Sequence, residues 1–508
     1  MSETKEAGRF RKSSLDISSE AMQELSSFAN QMVSDYFAQI SEVPVFPQTS
    51  VGKTLEFIGA DLPIEAVPLE QLFADCKAII EGSRHNGHPR FFGYVASPAT
   101  PAGAFADLIT STLNANVTSW RSGPAATEIE SLVVRWLGSL IGYGEDARGL
   151  LMSGGSMANL TALFIAHRTL EKDDTGRKGL WNSGSPMTIY ASDQIHMSIP
   201  KAADILGIGR EQVRTVSSDA NLRLDPGALR EAIQIDLENG LRPFCVVASA
   251  GTVNTGAIDS FTEIASIARA FGLWFHIDGA YGALGALDER KRPLFAGLDL
   301  ADSVSLDPHK WLYVPIDSGC LLFRNHIAAR AAFGSSTADY IKVHEERAGE
   351  DFAFWDYGPE LSRRFRALKI WFTLRYYGVR RIADAIAEDN ALAAYLARKI
   401  EEAEDFELLA PVTLSICCFR YLPKRLSLNL RTAATEESAE IEARLDQLNT
   451  GIMHRVQRGG KAYLSNATVD GKFALRACIT NFRTTRVDID QTLEIIRSAA
   501  REITGDHG

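Results

Sequence analysis

Between about residues 100 and 330 short apolar runs alternate with stretches of helical spacing. This alternation restricts the fold more than any other feature of the chain. The runs are GLLMSGG, MTIYASD, PFCVVASAGT, LWFHIDGA, SVSLDP and GCLLFR. Strands buried on both faces read as continuous apolar runs, and intervening helices cover a mostly parallel sheet from both sides. The expected fold class is therefore α/β, with ligands beyond the carboxyl ends of the strands.

The flanking regions have other rhythms. From Ile17 to Ala38 apolar residues recur at helical spacing behind the candidate caps Ser13 and Ser14, and PLEQLFADCKAIIEGS (68–83) repeats that pattern. So few strands make no deep core, and the segment is expected to pack on another body such as a second subunit. SRRFRALKIWFTLRYYG (362–378) predicts a long helix. Beyond it NALAAYLARKIEEAE reads as helix, FELLAP, LSICCFRYLP, KAYLSNATVDG and KFALRACITN as strands, and the end as helix. The expected division is a helical N-terminal segment over 1–100, a large α/β domain over 101–375 and a small α+β domain over 376–508.

Composition excludes several classes. The 508 residues carry a net charge of −11, which argues against nucleic acid or an anionic membrane as partner. The six cysteines show no zinc or disulfide spacing and read as reduced core residues; no metal is expected. MSETKEAGRFRKSSLD lacks the apolar centre of a signal peptide, and no apolar stretch is long enough to span a bilayer. A cytoplasmic location is expected.

Four places at predicted strand ends carry chemistry. In MSGGSMANLTALFIAH (152–167) a small-residue turn enters a helix, an anion site of neither Walker nor dinucleotide spacing. SDQIHMS places His196 just beyond a strand, and FHIDGAYGA places Asp278 at the end of another. SLDPHKWLYVP sets Lys310 in apolar company, where an unpaired ammonium is costly. Pyridoxal 5′-phosphate has a use for all four: phosphate on the helix N-terminus, ring under the imidazole, ring nitrogen on the carboxylate, aldehyde on the lysine. A desolvated lysine is also the better nucleophile.

With these residues in view, the sequence resembles the group II pyridoxal-phosphate-dependent amino-acid decarboxylases, aromatic-L-amino-acid decarboxylase among them. The resemblance rests on HPRFFGYVASP (88–98), SWRSGPAATEIE (119–130), MSGGSMANL, SDQIH, GTVNTGAID (251–259), HIDGAYG, DPHKWL (307–312) and RRFRALKIWF (363–372). It implies a fold-type I enzyme with a seven-stranded, mostly parallel sheet, active as a homodimer with its site at the interface. It further implies Lys310 as the Schiff-base lysine, Asp278 on the pyridine nitrogen and His196 over the ring. Gly155 and Ser156 match the phosphate-binding pair. Ser97, Thr252 and His309 match positions near the cofactor. Val253 stands where aromatic decarboxylases have threonine. Tyr340, in the charged loop 336–355, matches the tyrosine that returns a proton after carbon dioxide leaves.

The implied reaction is decarboxylation of an L-amino acid, an aromatic one first. Positions matching the family's pocket wall are Asn86, Thr118, Trp120 and Arg121, with Asn116 beside them. They are more polar than in a dopa or tryptophan enzyme, and Arg121 offers a second carboxylate a bidentate partner. A glutamate-, aspartate- or diaminobutyrate-like substrate is thus the alternative. An aldehyde synthase is another, against which Tyr340 argues. A non-catalytic cofactor-binding protein is disfavoured by the presence of both Lys310 and Tyr340. LRACITNFRTT (475–485) resembles the family's closing strand and loop, with no role assigned to Arg483 or Thr484.

Overall fold

The computed structural model describes residues 15–58, 62–172, 174–180, 184–334, 352–432 and 434–505. Two compact units are present, Met1–His85 and Asn86–Gly508. In the first, helices Ser19–Gln39, Val51–Ile58 and Leu69–Glu81 follow in order. The first helix begins at Ser18, whose hydroxyl accepts from Ala21 N–H at 3.2 Å. The cap is therefore Ser18; Ser13 and Ser14 lie outside the described residues. No residue of that helix is buried, and the Phe28 ring stacks on Phe73.

The second unit holds two sheets. Strand β1 (Phe91–Phe92) comes first and belongs to the smaller one. The larger is built from β2 (Arg148–Met152), β3 (Met187–Ser192), β4 (Val213–Val216), β5 (Arg242–Ser249), β6 (Trp274–Asp278), β7 (Ser303–Leu306) and β8 (Gly319–Phe323), in the order β2-β8-β7-β6-β5-β3-β4. Only β8 runs against its neighbours. Two antiparallel pairings in a row bring β2 back into the direction of β7. The carboxyl ends of β2, β3, β5, β6 and β7 therefore share one edge.

The fold is α/β with a seven-stranded, mostly parallel sheet, as expected. Six strands coincide with the six apolar runs. The seventh, β4, is an edge strand of which only Val216 is buried, so its sequence carries no continuous apolar signal. Helix Gly155–Leu170 follows β2 directly and lays Ala158, Ala162, Leu163, Ile165 and Ala166 into the core.

The small sheet adds β9 (Phe406–Leu408), β10 (Ile416–Tyr421), β11 (Tyr463–Val469) and β12 (Lys472–Cys478), in the order β1-β11-β12-β10-β9. Its first strand departs from expectation. Phe91 and Phe92 pair in parallel with Tyr463 and Leu464. Residues assigned by sequence to the N-terminal segment thus complete the C-terminal sheet. A two-residue strand has no period to detect, and its partner is far along the chain. Helix Thr435–Gly459 covers this sheet, and helix Ala367–Glu402, broken at Gly378 (φ 75°), joins the two sheets.

A buried ion pair braces the site end of β2. Arg363, 2% exposed, donates to Glu130 Oε1 at 2.5 Å, to Leu151 O at 2.8 Å and to Val117 O at 2.8 Å. The same Glu130 oxygen accepts Leu151 N–H at 2.9 Å. Removing one partner strands the other charge in the core. Glu130→Ala should lower unfolding free energy by about 3–5 kcal/mol, read from the urea midpoint. A loss under about 1 kcal/mol means that the pair behaves as a surface bridge.

Candidate active site

The shared edge opens into a cavity of about 360 Å³. Its walls come from the segments after five strands: Ser153–Met157 after β2, His196 and Ser198 after β3, Ser249–Val253 from β5, Asp278–Tyr281 from β6, and Asp307 and Lys310 after β7.

The turn after β2 is a backbone cradle. Gly154 precedes the helix in extended conformation, and no side chain caps it. Met157 and Ala158 N–H bond back to Gly154 O, both at 3.0 Å. The N–H groups of Gly155 and Ser156 are left at the positive end of the helix, where an anion is favoured. Glycine is required by contact here. A Cβ on Gly155 would lie 2.7 Å from Ala280 Cβ and 3.0 Å from Asp307 Oδ2.

Asp278 is 7% exposed and held by three donors. Asn159 Nδ2 donates to Oδ2 at 2.9 Å; Ser305 Oγ and Ala280 N–H donate to Oδ1 at 3.2 and 3.1 Å. A carboxylate offers about four lone-pair positions, so roughly one remains for the cavity.

Asn159 is the hub of a longer chain of donors. Trp274 Nε1–H donates to Ser303 Oγ at 2.9 Å, and Ser303 Oγ–H to His276 Nδ1 at 2.9 Å. His276 Nε2–H then donates to Asn159 Oδ1 at 3.0 Å. The Asn159 amide passes hydrogens to Asp278 and to Ser198 Oγ, the latter at 2.9 Å. Ser198 Oγ and N–H both face His196 Nδ1, at 2.9 and 3.2 Å. That assigns the remaining ring proton of His196 to Nε2. Burial lowers the His196 pKa most, Asp278 pulls it back and Lys310 lowers it further, so the ring is neutral at pH 7.

Lys310 has a partner that sequence reasoning did not name. Its Nζ lies 3.0 Å from Asp307 Oδ2, three residues earlier in the same turn. The ammonium is therefore paired rather than left bare. Asp307 stood in the quoted DPHKWL, where a carboxylate one turn before the lysine was the available signal. Asn159 also carried a signal, as a buried amide on an otherwise apolar helix face.

Other expected positions fall differently. Thr252 lines the cavity, but its hydroxyl is engaged by Thr255 Oγ1 (3.1 Å) and Ala257 N–H (3.2 Å), so it holds its own loop. Arg476 of β12 secures that loop from outside, donating to Val253 O at 2.6 Å and Tyr94 O at 2.7 Å. Ser97 and His309 are not among the residues that line the cavity. Ser97 Oγ donates to His309 O at 3.1 Å, and His309 Nδ1–H to Ser318 O at 2.7 Å. Asn86, Thr118, Trp120 and Arg121 do not line the cavity of this chain. Thr118 instead bonds Ser122 Oγ at 2.9 Å, and its carbonyl accepts Phe354 N–H. Tyr340 lies outside the described residues.

Pyridoxal phosphate fits what the walls offer. An anion cradle, a buried acceptor, an imidazole and a lysine face one space, and the cradle is a place that a single methyl group would fill. Fold and site together suit a pyridoxal-phosphate enzyme. Residues 52–422 match the family model described as the pyridoxal-dependent decarboxylase conserved domain. An aromatic-L-amino-acid decarboxylase of Bacillus atrophaeus is 33% identical over 96% of this chain and 98% of its own. Two solved structures superpose closely. Mouse CSAD has a TM-score of 0.88 at 26% identity, covering 95% of this chain and 99% of that one. Oryza sativa TDC with PLP and tryptamine has a TM-score of 0.86 at 28% identity, covering 96% and 99%. The chain belongs to the pyridoxal-dependent decarboxylase family, and it is a pyridoxal-phosphate-dependent carboxy-lyase acting on an amino acid.

The donor chain has a pH signature. Burial lowers the His276 pKa from 6.5 to about 4. Between those values the unfolded chain binds a proton that the native chain does not. Stability is therefore full above about pH 6.5 and falls as the pH drops toward about 4. In His276→Gln the slope of unfolding free energy near about pH 5 should fall by about 1.4 kcal/mol per pH unit, one proton's worth. An unchanged slope means that the native imidazole is charged there and the donor chain runs otherwise.

Proposed function

We propose that the enzyme decarboxylates an aromatic L-amino acid to the corresponding amine and carbon dioxide. The observation that carries the substrate class is the near full-length likeness to the Bacillus aromatic-L-amino-acid decarboxylase. Bound pyridoxal phosphate supplies the electron sink for the pair left behind when the carboxylate departs. The chain's residues do the rest. Lys310 Nζ, facing the cavity beside Asp307, would be the amine that holds the cofactor through its aldehyde. Asp278, held by Asn159, Ser305 and Ala280 N–H, keeps a proton on the ring nitrogen and so keeps the sink strong. His196, neutral and fixed by Ser198, would pack its imidazole against the cofactor ring. Gly155 and Ser156 N–H groups take the phosphate. Ser97 and His309 act through the lysine turn, and Thr252 through the loop it closes.

Tyr340 is the proposed donor to the carbon that loses its carboxylate. The active form is proposed to be a cytoplasmic homodimer with the site at the interface. Leu108, Ile109 and Leu113, exposed on helix Pro101–Leu113, support an interface between copies. In that arrangement Asn86, Thr118, Trp120 and Arg121 complete a pocket across the interface. Of the segment 1–100, the part before residue 86 is proposed to pack on the partner subunit, whereas β1 belongs to the small sheet of its own chain; the 101–375 part is proposed to hold the cofactor and 376–508 to brace it. An acidic or polar substrate draws on the polar character of those wall residues, which do not line this chain's own cavity.

A panel of L-amino acids read by carbon dioxide release tests the substrate. Aromatic substrates should exceed glutamate and aspartate in kcat/KM by at least about a hundredfold; the reverse order makes the enzyme an acidic decarboxylase. Lys310→Ala should give no borohydride-stable pyridoxyl adduct, and an adduct at another lysine would displace Lys310. Tyr340→Phe should convert amine production to a dioxygen-consuming reaction that releases aldehyde, ammonia and hydrogen peroxide. Normal amine yield from that variant removes Tyr340 from its role.

A further inference from the structure

Asp389 is a buried carboxylate that the chemistry above does not use. It lies in the second half of helix Ala367–Glu402 and is 1% exposed. Its bonded partners are all neutral donors. Trp311 Nε1–H and Tyr313 O–H both reach Oδ2, at 2.9 and 2.7 Å, and Asn481 N–H reaches Oδ1 at 3.3 Å. Burying a carboxylate against neutral donors alone is costly, and apolar packing would serve stability better. The cost is visible in the acid itself, whose pKa burial pushes up to about 7.

What the three bonds join is specific. Trp311 and Tyr313 stand on either side of Leu312 in the turn that carries Lys310. Trp311 is fully buried and stacks on Tyr281, a wall of the cavity. Tyr313 is held at φ 56°, a left-handed conformation that a bulky residue adopts only under constraint. Asn481 belongs to the LRACITNFRTT segment. Its Nδ2 donates to His88 O at 2.9 Å, and the nearby Thr484 Oγ1 donates to Pro89 O at 2.7 Å. One carboxylate thus ties the lysine turn to the closing loop of the small sheet, and through it to the HPRFF segment.

We propose that Asp389 is a positioning residue for the cofactor lysine: by gripping Trp311 and Tyr313 from the small-sheet side, it sets the turn that aims Lys310 into the cavity. The proposal rests on Lys310 being the cofactor lysine. It gives a role to the segment around Asn481 and Thr484 that sequence alone left without one.

The test uses the full-length enzyme stripped of cofactor and titrated with pyridoxal phosphate. Visible absorbance reads affinity, and borohydride trapping with peptide mapping reads the lysine. Asp389→Leu should weaken cofactor affinity about tenfold or more, equal to about 1.4 kcal/mol. Asp389→Asn keeps an oxygen for Trp311 and Tyr313 and should stay within about threefold of native. A purely structural residue would lower the thermal midpoint of both variants and leave the affinity of the folded protein unchanged; that result overturns the proposal. If Asp389→Leu does not fold, Tyr313→Phe decides. It removes one of the two bonds and leaves the ring, so affinity should fall by about threefold or more with the thermal midpoint nearly kept. Native affinity in that variant overturns the proposal. If the native enzyme itself traps no cofactor at Lys310, the assignment of the lysine fails first, separately from the clamp.

Discussion

A carboxylate buried at the end of a parallel strand is the constraint around which this site is arranged. Asp278 cannot be stable there without donors, because isolated burial of a charge is prohibitive. Its donors come from three places: the helix after β2 through Asn159, β7 through Ser305, and its own turn through the Ala280 N–H. Each arrives only when the sheet order is right. The acid therefore reports on the whole large sheet, and the sheet fixes the acid in turn. Asn159 extends the arrangement by serving Asp278 and, through Ser198, His196.

The same economy of placement applies to the rest of the cavity. Because β8 alone is reversed, five strand ends meet at one edge and five loops can each contribute one functional group. Small residues let those loops approach. Gly155 admits Ala280 and Asp307, and Gly319 at the start of β8 lies where a Cβ would strike Gly154 Cα at 2.4 Å. The small sheet then acts as a brace. Arg476 holds the loop beside Thr252, and Asp389 with Asn481 meets the lysine turn. The site is a large-sheet edge stiffened from a second sheet.

Much of this was legible before any coordinates. Continuous apolar runs marked six of the seven strands, since a strand buried on both faces has no polar side to interrupt it. Lys310, Asp278, His196 and the Gly155–Ser156 turn were legible because a charged or polar group at a strand end contrasts with its surroundings. β4 was missed because an edge strand carries polar residues. β1 was missed because two residues have no period. Asp307 and Asn159 were passed over because each looks ordinary until its neighbour is known: the first pairs with Lys310 one turn on, the second with an acid more than a hundred residues away.

The division between the two levels is physical. Local chemistry and periodicity determined that the chain is α/β, that its functional groups sit at strand ends, and which cofactor those groups suit, because each of these is a property of contiguous residues. Only the tertiary structure decided which groups touch: the Asp307–Lys310 pair, the donor chain from Trp274 to His196, the pairing of Phe91–Phe92 with β11, and the exclusion of Asn86, Thr118, Trp120 and Arg121 from the cavity of their own chain. Hydrogen bonds and buried charges act over about 3 Å, and residues distant in sequence come within that range only after the sheets have closed.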